Sequence, residues 1–372
     1  MNPTLHDLMR AATRLTRAGR LNEASAAIQR ALGGSAGRAP AWPARPLPGE
    51  WPAAPSATVA VEPSGAIDGH RGAGAFLAGS HTHATLTRGY KLCVPAGADG
   101  RSLPLVVMLH GCTQDPDDFA AGTGMNALAT EQGFYVLYPA QAHDANPSRC
   151  WNWFKHNHQQ RGRGEPAVIA SMTQAIMQAH DIDPRRVYVA GLSAGGAMAA
   201  IVGAAYPDVY AAVGVHSGLA PGAASNLPEA LAAMKGGASG AAPLAGAATR
   251  WGATAPHPPP GLPLPVIVFH GDRDATVHPR NGEQVVAAAL GADAGAAGRS
   301  VEQGVSARGR RYTRAVSAAA AGRPAAEHWV LHDAGHAWSG GRAAGSYTDP
   351  QGPDASREML RFFLEHARHG MA

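Results

Sequence analysis

The sequence predicts a three-layer α/β fold around a mostly parallel sheet, and three observations carry that prediction. Short, continuous apolar runs such as those in LPLVVMLHG and LPVIVFHGDRD alternate with segments of helical spacing. Strands apolar on both faces need helices on both sides of the sheet. The stretch YVAGLSAGGAMA, Tyr188 to Ala199, leaves an apolar run through Gly-x-Ser-x-Gly and enters a helical segment at once. A strand turning that sharply into a helix strains the turn residue and requires small neighbours.

The elements follow in order. The first 32 residues carry Leu5, Leu8, Met9, Ala12 and Leu15, then, past Gly19, Leu21, Ala24, Ile28 and Leu32, which is helical spacing in two segments and predicts a hairpin over 1–32. This segment lacks the continuous apolar core and adjoining cleavage site of a secretory signal, so a cytoplasmic location is the expectation, with an extracellular one as the alternative. Residues 33–79 are rich in Ala, Pro and Gly without periodicity and read as a linker. The main domain is expected over 80–372. Its predicted strands lie in HATLTRGYKLCVPA, LPLVVMLHG, GFYVLYPA, RRVYVAGLS, YAAVGVHSG, LPVIVFHGDRD and EHWVLHDAGH. Predicted helices are MNALATEQG, AVIASMTQAIMQAHDI, AGGAMAAIVGAAYP and the last one from DASREMLRFFLEHARHG. A Gly/Ala/Pro-rich segment from about 220 to 264 separates two strands and reads as a surface insertion, with a cap over the site as the alternative.

Bulk properties exclude some functions. A formal charge of +4 over 372 residues, with the basic residues scattered, gives no support to nucleic-acid binding. No apolar run approaches the roughly 18 residues of a membrane span.

In sheets of this kind ligands collect beyond the carboxyl ends of the strands. Three such ends carry Ser193, the pair Asp272 and Asp274, and His336. A serine hydroxyl becomes a nucleophile when a base takes its proton, and the base works best when an acid fixes its tautomer. The order serine, acid, histidine is the one expected for an elbow serine on this fold. Of the two aspartates, Asp274 of H-G-x-x-D-x-x-V is the expected acid, and Asp272 a loop brace. The amides of Cys112, in the loop LHGC, and of Ala194, directly after the serine, are the candidate oxyanion donors. His110 has no partner at metal spacing, and neither metal nor cofactor is expected.

The segments RGYKLCVP, LPLVVMLHGCTQDPDDFAAGTGMNALA, GFYVLYPAQ, NPSRCWNWF, GLSAGGAM, HGDRDATVHPRN, AGHAWSGG and GSYTDPQGPDAS resemble the catalytic domain of type 1 short-chain-length polyhydroxyalkanoate depolymerases, which are related to feruloyl and acetylxylan esterases. The resemblance runs from about Arg88 to the C-terminus. It implies an α/β-hydrolase fold, the triad Ser193, Asp274 and His336, and a serine esterase cleaving poly(3-hydroxybutyrate) or similar polyesters. Two other functions stay open: an esterase for small feruloyl or acetyl esters, and a non-catalytic protein seated on storage granules. Trp151, Trp153 and Trp338 are candidates for an apolar groove along a polyester chain, with a core role as the alternative for each and the pocket favoured for Trp338, next to His336. In secreted relatives, cysteines placed like Cys112 and Cys150 can pair; a reducing cytosol would oppose that bond. The absence of a separate polymer-binding module resembles intracellular relatives acting on granules.

Overall fold

A computed structural model of the protein describes residues 74–236, 262–291, 298–318 and 324–368. The chain divides into two units, Met1–Ala60 and Val61–Ala372, and every described element belongs to the second. The hairpin expected over 1–32 lies outside the described residues, as does 237–261 of the expected insertion.

Ten strands form one sheet: β1 (Ala75–His83), β2 (Leu86–Val94), β3 (Leu103–Leu109), β4 (Tyr135–Pro139), β5 (Ile182–Leu192), β6 (Ala212–His216), β7 (Val266–Gly271), β8 (Arg299–Val305), β9 (Arg311–Ala318) and β10 (Pro324–Leu331). Their order is β1-β2-β4-β3-β5-β6-β7-β10-β9-β8. From β4 to β10 the pairing is parallel, and an antiparallel pair flanks each side. The parallel strands are the ones whose apolar runs are continuous; β3, β4, β6 and β7 are buried throughout.

Side chains alternate between two cores. Leu105, Val107 and Leu109 of β3 join the cluster under α3 (Gly164–Ala179), α4 (Ala194–Ala205), α5 (Leu227–Gly236) and α6 (Arg280–Leu290). Val106 and Met108 join the other, beneath α1 (Pro116–Thr123), α2 (Met125–Gln132) and α7 (Ala355–Leu364). This is the expected three-layer arrangement. Local signals set the helix ends. Asp115 accepts the Asp118 amide before α1, with Pro116 in its first turn, and Gly124 ends it at φ 65°.

The register aligns the strand ends. Leu109 pairs with Gly191, Leu192 with His216, His216 with Phe269, and Gly271 with Leu331. The loops that follow β3, β5, β7 and β10 therefore open on one edge of the sheet, and they carry Cys112, Ser193, Asp274 and His336.

Several features depart from the sequence reading: α1, α5, which lies inside the stretch read as an insertion, and α6 were not expected, and two strand features differ as well. Strand β1 begins at Ala75, inside the stretch read as linker to 79. The hairpin of β8 and β9 was not expected, because β8 has no apolar face: its residues are exposed except for a half-buried Gly304. Its strand character comes from pairing with β9, which in turn pairs with β10.

Candidate active site

Ser193 stands between β5 and α4 at φ 58°, ψ −119°, a conformation that costs a non-glycine residue on the order of 1–3 kcal/mol. Its flanking glycines make the turn possible. A Cβ on Gly195 would run into the carbonyls of Leu109 and His110, and one on Gly191 into the backbone of Gly195. The Ser193 amide donates to His216 O at 2.9 Å. Ala194 opens α4, so its N–H has no partner within the helix and is available as a donor.

Asp274 and His336 come together. His336 Nδ1–H donates to Asp274 Oδ2 at 2.7 Å, and both residues are buried. The amides of Thr276 and Val277 donate to Asp274 Oδ1 at 2.9 and 2.8 Å. Burial raises the proton affinity of this carboxyl, but the neighbouring His336 and the bonds from His270 and His336 outweigh it and hold the group well below the usual carboxylate range. The proton on Nδ1 leaves His336 Nε2 as the nitrogen that can act as base. Asp272 braces instead: it accepts His332 Nδ1–H at 3.0 Å and the Asp333 amide at 2.8 Å.

The loop carrying Cys112 is strapped to residues 148–151 by three links. Thr113 N–H donates to Ser148 O at 2.7 Å, Cys112 and Cys150 form a disulfide, and Trp151 Nε1–H donates to His110 O at 3.1 Å. Gln114, buried, accepts the Gly111 amide at 2.9 Å. His110 is a core residue: Nδ1–H donates to Gly111 O at 2.8 Å, Nε2 accepts the Gln141 amide at 3.1 Å, and burial pushes the ring down to about 4.

The tryptophan groove is corrected. Trp151, Trp153 and Trp338 are 0%, 4% and 1% exposed and offer no surface to a polymer. Trp338 Nε1–H donates to Ser356 Oγ at 3.1 Å, whose hydroxyl donates to Thr123 O at 2.8 Å, so this ring ties the His336 loop to α7 and α1. Trp151 holds the Cys112 loop from beneath.

Sequence reasoning missed His216 and Glu165. His216 Nε2 accepts the Ser339 amide at 3.0 Å while its carbonyl receives Ser193 N–H, so one residue joins the serine turn to the histidine loop. Burial first, then His270 and His336, hold its ring well below the ordinary histidine range. Glu165, buried on α3, accepts Gln141 Nε2 at 2.6 Å, and Asn152 through Nδ2 and its amide, each at 2.7 Å, which fixes the segment around Trp151. The sequence held a signal for Glu165, an acid within an apolar helical run, but none for His216.

The sequence model of the esterase PHB depolymerase family matches residues 88–305. Poly(3-hydroxyalkanoate) depolymerase C of Paucimonas lemoignei is 37% identical over 52% of this chain and 45% of its own length. Feruloyl esterase B of Thermothelomyces thermophilus is 30% identical over 49% of this chain and 63% of its own. The chain thus spans about half the length of these two relatives. Acetyl xylan esterase from Aspergillus awamori superposes with a TM-score of 0.56 and 19% identity, covering 75% of this chain and 94% of that one, a likeness of fold alone.

Proposed function

We propose, from the premise that this chain belongs to the esterase PHB depolymerase family, that it hydrolyses the ester bonds of short-chain-length polyhydroxyalkanoates such as poly(3-hydroxybutyrate) through an acyl-enzyme. One observation carries the chemistry: the buried Asp274–His336 pair stands at the sheet edge onto which the strained Ser193 turn also opens. His336 Nε2 takes the proton of Ser193 Oγ as the oxygen attacks the ester carbonyl, and Asp274 stabilises the resulting imidazolium. The amides of Cys112 and Ala194 receive the negative charge of the tetrahedral oxygen. Collapse breaks the C–O bond, and His336 returns its proton to the departing alcohol. Water, activated by the same nitrogen, then releases the acid and restores Ser193.

The polyester substrate rests on the family and on the relative named a poly(3-hydroxyalkanoate) depolymerase; the relative named a feruloyl esterase keeps small aryl esters as a second reading. The disulfide supports an oxidising, extracellular compartment over the cytoplasmic one expected from the N-terminal segment. Turbidity loss of an amorphous polymer suspension, measured beside a panel of feruloyl, acetyl and p-nitrophenyl esters, tests the substrate. Polymer clearing together with p-nitrophenyl butyrate hydrolysis is expected, and Ser193→Ala should lower both by at least about a thousandfold. Feruloyl ester turnover without polymer clearing reverses the substrate assignment. A Ser193→Ala enzyme retaining a tenth of the rate removes the mechanism.

A further inference from the structure

Both oxygens of Asp274 are occupied, and a second imidazole faces Oδ2. His270 Nε2, at the end of β7, lies 3.5 Å from Asp274 Oδ2, the oxygen that holds His336. The same nitrogen is 2.8 Å from Val277 O. A carbonyl only accepts, so Nε2 carries a proton; it is bonded to Val277 O, and the positive end of that N–H also lies close to the carboxylate oxygen. His270 Nδ1 is then bare. It is buried and without a hydrogen-bond partner among the described residues, 2.8 Å from where a Cβ on Gly282 would stand. His328 Nε2, also buried and without a partner, would be 3.2 Å from that same Cβ, so the glycine leaves room for both rings. The titratable groups around His270 are Asp274, His328 from β10, His216 from β6 and His336 from the loop after β10. Asp274 is the single carboxylate among these.

We propose that His270 is a positioning residue for the acid–base pair, its Nε2–H drawing part of the Asp274 carboxylate charge away from His336 and so setting the proton affinity of the base. This rests on the reading of Ser193, Asp274 and His336 given above. A positive N–H end beside Oδ2 weakens the hold of the carboxylate on the imidazolium that forms during turnover; without it that hold is stronger. A side chain that merely packs would alter stability or the plateau rate and leave the pH profile in place.

The test compares His270→Leu, which removes the donor, with His270→Gln, whose amide N–H can reach the position of Nε2–H. In profiles of kcat/KM on p-nitrophenyl butyrate, the acidic limb of His270→Leu is expected to move up by roughly half a pH unit, about threefold in rate on the limb, and that of His270→Gln to stay with the wild type. A folded His270→Leu enzyme with the wild-type limb overturns the proposal. Should His270→Leu fail to fold, His270→Asn, too short to reach Oδ2, takes its place with the same expectation. Independently, long-range proton–nitrogen NMR of the resting wild type should find His270 as the Nε2–H tautomer across the limb, and an Nδ1–H tautomer would equally overturn it. The NMR result needs no turnover, so a Ser193→Ala enzyme that stays active would sink the mechanism without deciding the tautomer.

Discussion

Two aspartates two residues apart do different work because only one is buried against a ring. Asp274 fixes His336, while Asp272 fixes the exposed stretch at His332 and Asp333. Asp274→Asn should therefore lower kcat about 10³- to 10⁴-fold, and Asp272→Asn less than about tenfold. Steady-state rates on one soluble ester decide between them; the opposite ranking would return the acid role to Asp272. The H-G-x-x-D-x-x-V pattern had pointed to Asp274, and this is the aspartate that lies against His336. The tryptophans were not legible in the same way, since sequence gives neighbours along the chain but not which way an indole N–H points. Buried histidines make a separate prediction about acid. Burial pushes His110 and His328 down to about 4 from the ordinary 6.5. Between those values the unfolded chain binds protons that the folded one refuses, so this stability is full above about pH 6.5 and is lost as pH falls toward about 4. Urea unfolding at about pH 7.5 and about pH 5 should differ by a few kcal/mol, and His328→Leu should flatten the slope. An unchanged slope in that variant would assign the loss to other groups.

At the level of elements, the loop that carries Cys112, the proposed oxyanion donor, has little secondary structure of its own and is tied to residues 148–151. Thr113 and Arg149, which adjoin the bonded cysteines, both sit at positive φ, 66° and 52°, so two strained turns face each other across the bond. The disulfide closes a separation of 38 residues, which in the chain-entropy account stabilises the fold by about 4 kcal/mol. Replacing both cysteines by alanine should cost about 2–4 kcal/mol in urea unfolding. It should also cost roughly 10- to 100-fold in kcat/KM, through a misplaced oxyanion donor. Wild-type stability and rate in the double variant would show that the hydrogen bonds of Thr113 and Trp151 suffice. Here sequence reading reached the pairing only through resemblance, and it missed the β8–β9 hairpin altogether. Val301 and Val305, 56% and 62% exposed, form no buried stripe, and a strand defined by its partner leaves no period to read.

For the whole molecule, continuous apolar runs announced a mostly parallel sheet but not its strand order, and the carboxyl-edge rule pointed to the loops that carry Ser193, Asp274 and His336. Every residue of that site lies beyond residue 109, so removing residues 1–73 should leave soluble-ester hydrolysis within about twofold. If the N-terminal segment supplies adhesion to a granule, attack on amorphous polymer should fall in the same protein. Equal loss of both rates would show that the segment belongs to the fold. The tie made by His216 has a consequence in time. Its carbonyl meets the Ser193 amide within a short stretch of chain, but its ring nitrogen waits for the amide of Ser339, and the base beside it is His336. At ribosomal speeds of about 5–20 residues per second, the serine is made on the order of ten seconds before its base. Under the proposed mechanism the nascent chain carries through that interval a serine turn whose second tie, from the His216 ring to the Ser339 amide, is missing and a hydroxyl with no base to activate it, so order of synthesis would keep the growing polypeptide silent.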